Sequence, residues 1–365
     1  MTLHIFNPEH DIALASGLSN FTAPHAGRQL RHDLGFLPAL WAKDGDIIMV
    51  DDAEQAEREW HRIRHRADVL LRTRGLLTAN LGFAYGKVEV YRKQTSSIDP
   101  WGWNSALRAQ LLRRGVNEEL MPTPAQLQTI RELSHRRVAA RLLNRLRVEG
   151  TVGESFECQA DEEVERLLRQ YGQLVMKAPW SSSGRGLRFL STDRTPLSMQ
   201  AGWFHNLVQA QGSVMVEPFY NKIKDFGMEF YSDGRGHITY LGLSLFHTAN
   251  GAYTGNILAT ESTKRDMISH YLTTTLLNKV QETICDELST IYNETYCGHF
   301  GVDMMIVASP HAPNPSPLLH PCVEINLRRT MGHVALSLTP KDDDIRGVMR
   351  IEYSENKYKL TLQNL

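Results

Sequence analysis

Short apolar runs alternate with charged, helix-patterned stretches in the first part of this chain, and strand-patterned runs dominate from residue 172 onward. Residues 2–6 (TLHIF) read as a short buried strand ending at the turn pair Asn7-Pro8. A polar-apolar helix follows from Asp11. Residues 46–51 (DIIMVD) form a second apolar run between Gly45 and the Asp51-Asp52 pair, and residues 53–74 are charged and helical in pattern. Strands alternating with helices predict an open α/β layer. In residues 99–122, Asn104 or Ser105 caps a helix that stops near Gly115. The Pro122-Thr123-Pro124 cluster marks a boundary, and helical stretches follow over 125–133 and 135–148.

The β texture comprises LVMKAP, SVMVEPF, FGMEFY, HITYLGLSLF, FGVDMMIV and PCVEINL. One long helical segment, 262–292, interrupts it, and the tail MRIEYSENKYKLTL predicts a hairpin turning at Ser354-Glu355-Asn356.

Three pieces of this pattern carry chemistry. Lys177 ends a strand and is followed by Ser181-Ser182-Ser183-Gly184-Arg185-Gly186. Gly184 and Gly186 let backbone N–H groups approach phosphate oxygens, the serines add donors, and Lys177 supplies a point charge. The lysine precedes the glycines, so this is not a P-loop. Read alone, a β-turn with a solvated lysine fits equally well. The second piece is Glu217-Pro218-Phe219-Tyr220, with Asp225 and Glu229 downstream. A strand stopping there offers backbone hydrogen bonds to a planar base, an aromatic ring to pack on it and a carboxylate for ribose hydroxyls. Alone, it reads better as a hairpin with surface acids.

The third piece is the most specific. Asp303 lies in one strand, and Glu324 and Asn326 lie two apart in another, so they share a face while Val323, Ile325 and Leu327 take the other. If the strands pair, three hard oxygen donors meet, which suits Mg²⁺ completed by phosphates and water. Arg328 continues that face and can stabilise phosphoryl charge, whereas Arg329 points the other way. Carboxylates set in apolar strands are costly without a cation, which weighs against a merely solvated edge. Gly332 reads as part of a loop close to the ligand. Asn7-Pro8-Glu9-His10-Asp11 is either a ligand-facing loop at a strand end or, the more economical reading, a helix cap. His333 and His247 read as structural.

Composition narrows this further. The chain has 365 residues, 42% hydrophobic and 22% charged, which suits a multidomain globular protein with a large core. Lys+Arg 40 against Asp+Glu 41 leaves a net charge of -1, so nothing global points to nucleic acid or an anionic membrane. Cys158, Cys285, Cys297 and Cys322 form no C-x-x-C pair, and free thiols suit a reducing compartment. Charged residues interrupt the N-terminal stretch where a signal peptide needs an apolar run, and no stretch reaches a membrane span. A cytoplasmic location is expected.

The order Lys–Gly loop, E-P-x-Y with downstream acids, then G-V-D and E-I-N-x-R resembles the ATP-grasp superfamily, with the texture of its D-alanine–D-alanine ligase and glutathione synthetase groups. The resemblance covers roughly residues 123–340. It implies a mixed α/β and α+β fold: a pre-ATP-grasp α/β domain over 1–122, a grasp domain over 123–340 with antiparallel sheets (lobes about 123–216 and 217–340), and a hairpin over 341–365. It implies ATP with, in all, two Mg²⁺ ions held by Asp303, Glu324 and Asn326. Lys177 and the loop through Ser182, Ser183, Gly184 and Gly186 would hold phosphates. Glu217, Phe219 and Tyr220 would line the adenine hinge, with Asp225 at the ribose and Glu229 near nucleotide or metals. Arg328 would bind an acyl-phosphate. The second basic residue that opens the upstream helices is assigned to Arg137. The implied reaction joins a small carboxylate and an amine, amino acids or peptides by analogy, through an acyl-phosphate. A small-molecule kinase and a non-catalytic nucleotide-binding regulator are the alternatives. A homodimer is the base-rate expectation. The sequence departs from the D-alanine ligases at Gly301, where they carry arginine, and in the loop Leu327–Gly332.

Overall fold

The computed structural model describes residues 1–73, 79–84, 95–181, 186–249, 252–309 and 317–365. Four strands, β1 (Thr2–Ile5), β2 (Ile47–Met49), β3 (Gly82–Ala84) and β4 (Ser97–Pro100), form a parallel sheet in the order β3-β2-β1-β4. Leu3, Ile5 and Ile48 are buried in it, which explains why these strands are short apolar runs without alternation. Helices α1 (His10–Ser16), α2 (His25–Leu34), α3 (Ala53–Leu71) and α4 (Ser105–Arg113) flank the sheet. Asp52 caps α3 by accepting from the Gln55 N–H, and Ala56, Trp60, Ile63, Ala67 and Leu71 form its buried stripe. Asn104 is the residue that caps α4.

Thr123 opens α5 (Pro124–Leu133) with a capping box to Gln126, and His135 caps α6 (Arg136–Arg145). An antiparallel sheet follows. It holds β5 (Phe156–Cys158), β6 (Gln173–Lys177), β7 (Leu187–Ser191) and β8 (Val214–Pro218) in the order β5-β8-β6-β7. Helices α7 (Asp161–Tyr171) and α8 (Ala201–Gln211) cover one face through Val164, Leu167, Leu168 and Phe204.

A third sheet is the platform of the site. It holds β9 (Lys222–Asp233), β10 (Ile238–Ser244), β13 (Cys297–Val307) and β14 (Leu318–Asn326) in the order β10-β9-β13-β14. Phe226, Met228, Phe230, Phe300, Val302, Met304, Ile306 and Ile325 point to one face and join a core with Leu277, Val280, Ile284 and Leu288 of α10 (Thr274–Tyr292). The intervening residues are turned to the other face.

The fourth sheet, β11-β12-β15-β16, holds β11 (Phe246–Ala249), β12 (Ala252–Leu258), β15 (Gly347–Ser354) and β16 (Lys357–Asn364). Met349, Leu360 and Leu362 share a core with Phe6, Trp60 and Ile63 of the N-terminal layer. The terminal hairpin turns at Glu355 and Asn356, both with positive φ (53° and 59°), as a two-residue turn between twisted strands requires.

Two sequence expectations are corrected. HITYLGLSLF is not one strand: it breaks at Leu245 and passes from β10 in one sheet to β11 in another. The 262–292 helix is two helices, α9 (Glu261–Ser269) and α10, because Thr273 caps a new helix by accepting from the Leu276 N–H. Among the described residues no helix is long and apolar enough to cross a membrane.

Candidate active site

The platform brings the acids together. β13 and β14 pair antiparallel, with Asp303 opposite Glu324 and Gly301 opposite Asn326. The Asn326 amide donates to Asp303 Oδ2 at 2.9 Å. Burial, and then the charges of Glu324 and Glu229, push the Asp303 carboxyl up to about 8. Burial also raises Glu324, against the pull of Arg136.

Lys177 ends β6, and Glu217 lies near the end of the neighbouring β8. Val175 stands opposite Glu217, so the side chain of Lys177, two residues on, shares the Glu217 face. Lys177 Nζ lies 2.5 Å from Glu217 Oε2, with both residues buried. Ser155 donates to Glu217 Oε1 at 3.3 Å. The resemblance cast Glu217 as hinge lining; its carboxylate is here the partner of Lys177. Gly186 holds the far end of the loop by accepting from the Ala178 N–H at 2.8 Å. Ser182, Ser183 and Gly184 lie outside the described residues.

Of the basic pair that opens α6, Arg136 is the one that meets Glu324. Arg136 is buried, donates through Nε to Ala178 O at 3.0 Å, and lies 2.8 Å from Glu324 Oε1. Arg137 turns to Glu157 on β5 at 3.1 Å. Successive helical residues point about 100° apart, so only one of the pair can face Glu324.

Arg328 leaves β14 on the acid face. Its Nη2 donates to Asn326 Oδ1 at 2.9 Å and to Asp11 Oδ2 at 2.7 Å, while Nε donates to Asp11 Oδ1 at 2.9 Å. Burial works against the guanidinium's charge, but Asp11 overcomes it and raises its pKa. Asp11, weighed from sequence mainly as a helix cap, lines a cleft with Ser134, Trp180, Ser181, Glu324 and Asn326. Arg329 points the other way as expected, donating to Asp99 Oδ2 at 2.8 Å and lying over the Trp41 ring at 4.5 Å.

Glu229 lies on the acid face of β9, opposite Gly301 of β13. The glycines around it make its room: a Cβ on Gly301 would stand 2.6 Å from Glu229 Oε2, and one on Gly332 would collide with Oε1. Gly332 therefore approaches Glu229 as the second residue of α11 (Met331–Ser337), a correction to its reading as loop. His333 Nδ1 is 3.0 Å from Glu229 Oε2, yet this nitrogen accepts from the Thr330 N–H and has no proton to give in that tautomer. The contact is thus a proximity, and Glu229 Oε2 has no hydrogen-bond partner among the described residues.

Phe219 and Tyr220 follow β8, and Asp225 lies on β9. Phe219 is exposed at 45% and meets Phe189 edge-on. Tyr220 packs edge-on against His320. Asp225 is held by Lys222 at 2.5 Å and by the Thr248 hydroxyl at 2.6 Å. His320 is fully buried with neither ring nitrogen hydrogen-bonded among the described residues; nothing in the sequence pattern marked it.

Among the described residues no group of three His, Cys, Asp or Glu side chains forms an all-protein metal cage. Two carboxylates and an amide oxygen are instead what Mg²⁺ needs when phosphates and water complete its shell. The donor chemistry of Asp303 and Glu324 fits that ion.

No protein-family model matches the chain, and no curated protein matches it in sequence. Solved structures do match in fold. A biotin carboxylase from Campylobacter jejuni, in a β,γ-ATP complex, aligns with TM-score 0.52 at 12% identity over 98% of this chain and 77% of that one. The biotin carboxylase domain of the Hydrogenobacter thermophilus 2-oxoglutarate carboxylase, in complex with MgADP, ADP and bicarbonate, aligns with TM-score 0.51 at 12% identity over 87% and 71%.

Proposed function

We propose, for a chain that has the ATP-grasp fold, that it is an ATP-dependent ligase which activates a small carboxylate as an acyl-phosphate and joins it to an amine. The observation that carries this reading is the meeting of Asp303, Glu324 and Asn326 on one sheet face, with Arg136 and Arg328 bonded to that set. Lys177 lies on the partner sheet as the cation for nucleotide phosphates. Asp303, Glu324 and Asn326 would hold Mg²⁺, which would supply neutralisation of phosphate charge. Lys177 and Arg136 hold the phosphates in line for attack by the carboxylate oxygen. Arg328 steadies the acyl-phosphate while the amine attacks its carbonyl, and phosphate leaves. No side-chain nucleophile is needed. The D-alanine ligase texture of the sequence gives no support for the substrate, since the two carboxylases show the fold alone. Small acids, bicarbonate and amino acids among them, are therefore all candidates.

The test is turnover with ATP, Mg²⁺ and pooled acids, with and without amines. The expected result is ADP and phosphate release that depends on both, and a hydroxamate when hydroxylamine replaces the amine. A stable phosphorylated product formed without amine would make the chain a kinase. No nucleotide binding in calorimetry would overturn the reading altogether.

A further inference from the structure

Asp11 belongs to no motif of the grasp. It comes from the N-terminal layer, 317 residues from Arg328 in sequence, yet the two form a paired-fork contact with three N···O distances of 2.7–3.1 Å. Its position is built with care. The Asn7 amide donates to Gly102 O at 2.8 Å and its Oδ1 accepts from the Gly102 N–H at 3.3 Å. Asn104 bonds His10 Nδ1 at 3.2 Å, and the His10 ring packs so closely on Gly102 that a Cβ there would stand 2.7 Å from it. The corner Asn7–Asp11 is thereby locked to the chain at Gly102–Asn104, and Asp11 projects from the first turn of α1.

The consequence lies in what Arg328 would otherwise do. The guanidinium only donates, and the Asp303 carboxylate only accepts. Asn326 stands between them, giving its NH₂ to Asp303 and its Oδ1 to Arg328. Both ends agree on this amide orientation, and the amide would have to turn over to offer its oxygen to a metal on Asp303. Apart from Asp11, the acids that Arg328 feels are Glu324 and Asp303. A buried arginine deprived of its carboxylate partner is an uncompensated charge, and Glu324 and Asp303 are the other acids whose charge acts on it.

We propose that Asp11 is a positioning residue of the metal site: it holds Arg328 by its Nε and Nη2 edge, and so keeps this cation from occupying Glu324 and Asp303 in competition with Mg²⁺. The inference rests on the metal reading given above. The role is electrostatic and directional, so it differs from a plain structural tie between layers. Removing Asp11 alone weakens metal binding. Removing the competing cation as well restores it.

The experiment is Mn²⁺ binding followed by electron paramagnetic resonance, with a non-hydrolysable ATP analogue present. Asp11→Asn is expected to weaken Mn²⁺ binding at least tenfold, and Asp11→Asn with Arg328→Gln to recover to within threefold of wild type. Arg328→Gln alone is expected to bind Mn²⁺ at least as tightly as wild type, a result that does not depend on the folding of the Asp11 variant. Unchanged binding in Asp11→Asn, no recovery in the double variant, or tenfold weaker binding in Arg328→Gln would each overturn the inference and leave the functional reading standing. Wild-type protein that binds no Mn²⁺–nucleotide would overturn both.

Discussion

Glu324 is the side chain on which the most chemistry converges, because Arg136 holds one oxygen and Asp303 stands opposite it across the strand pair. Glu324→Gln keeps an acceptor for Arg136 and removes the negative charge. It is expected to lower kcat by at least about 10²-fold, the scale of losing one key electrostatic group, with a melting temperature close to wild type by scanning fluorimetry. A wild-type rate would show that the metal assignment is wrong. His320 makes a separate prediction. Burial lowers its pKa from 6.5 to about 4. A base depressed in the fold contributes stability that is whole above about 6.5 and is lost as pH falls toward about 4, because the unfolded chain takes up the proton first. His320→Leu removes both unpartnered nitrogens. Calorimetric melting should therefore fall less between pH 7.5 and pH 5 in the variant than in wild type. An equal fall in both proteins would contradict the argument.

At the scale of elements, the platform works because β9 and β13 alternate between core and site, and β14 does so over Glu324–Asn326, past a register shift against β13. Phe230 stacks on Phe300 at 5.1 Å below the sheet, while Glu229 and Gly301 meet above it. α11 closes over Glu229 only because its second residue is glycine. Gly332→Ala should destabilise by about 1–3 kcal/mol through overpacking, measured as a lower urea midpoint. If Gly332→Ala were as stable as wild type, the helix would not sit on Glu229 as described. The helix-opening pair Arg136 and Arg137 shows the same dependence on phase: a slip of one residue would exchange the partner on Glu324 for the partner on Glu157.

For the whole molecule, the N-terminal layer is fastened to the site by two adjacent arginines. Arg328 reaches Asp11, and Arg329 reaches Asp99 while its N–H donates to Trp101 O at 2.8 Å. Asp99 also accepts from Trp41 at 3.2 Å and lies 2.9 Å from His4 Nδ1. Burial opposes the Asp99 charge, but the hydrogen bond from His4 and the Arg329 charge hold its carboxyl well below the usual range. Asp99→Asn is expected to cost ~1–3 kcal/mol and to lower the melting temperature more at pH 7.5 than at pH 3, where protonation has begun to remove the wild-type advantage. Equal losses at both pH values would show that charge is not what joins the layers.

The sequence by itself determined what depends on local periodicity. A period of two puts Glu324 and Asn326 on one face whatever the rest of the chain does, and the caps at Asn104 and Thr123 are chosen by residues within three positions. The terminal hairpin was legible for the same reason. Tertiary structure alone decided the rest. Nothing local distinguishes Arg136 from Arg137, because the phase of a helix against its neighbour is fixed by packing. Nothing local breaks HITYLGLSLF at Leu245, since the break serves two different sheets. The pairing of Asp11 with Arg328 spans most of the chain, and no short-range pattern encodes which buried carboxylate a buried arginine will meet. That choice belongs to the fold, which brings the corner at Gly102 and the end of β14 to the same place.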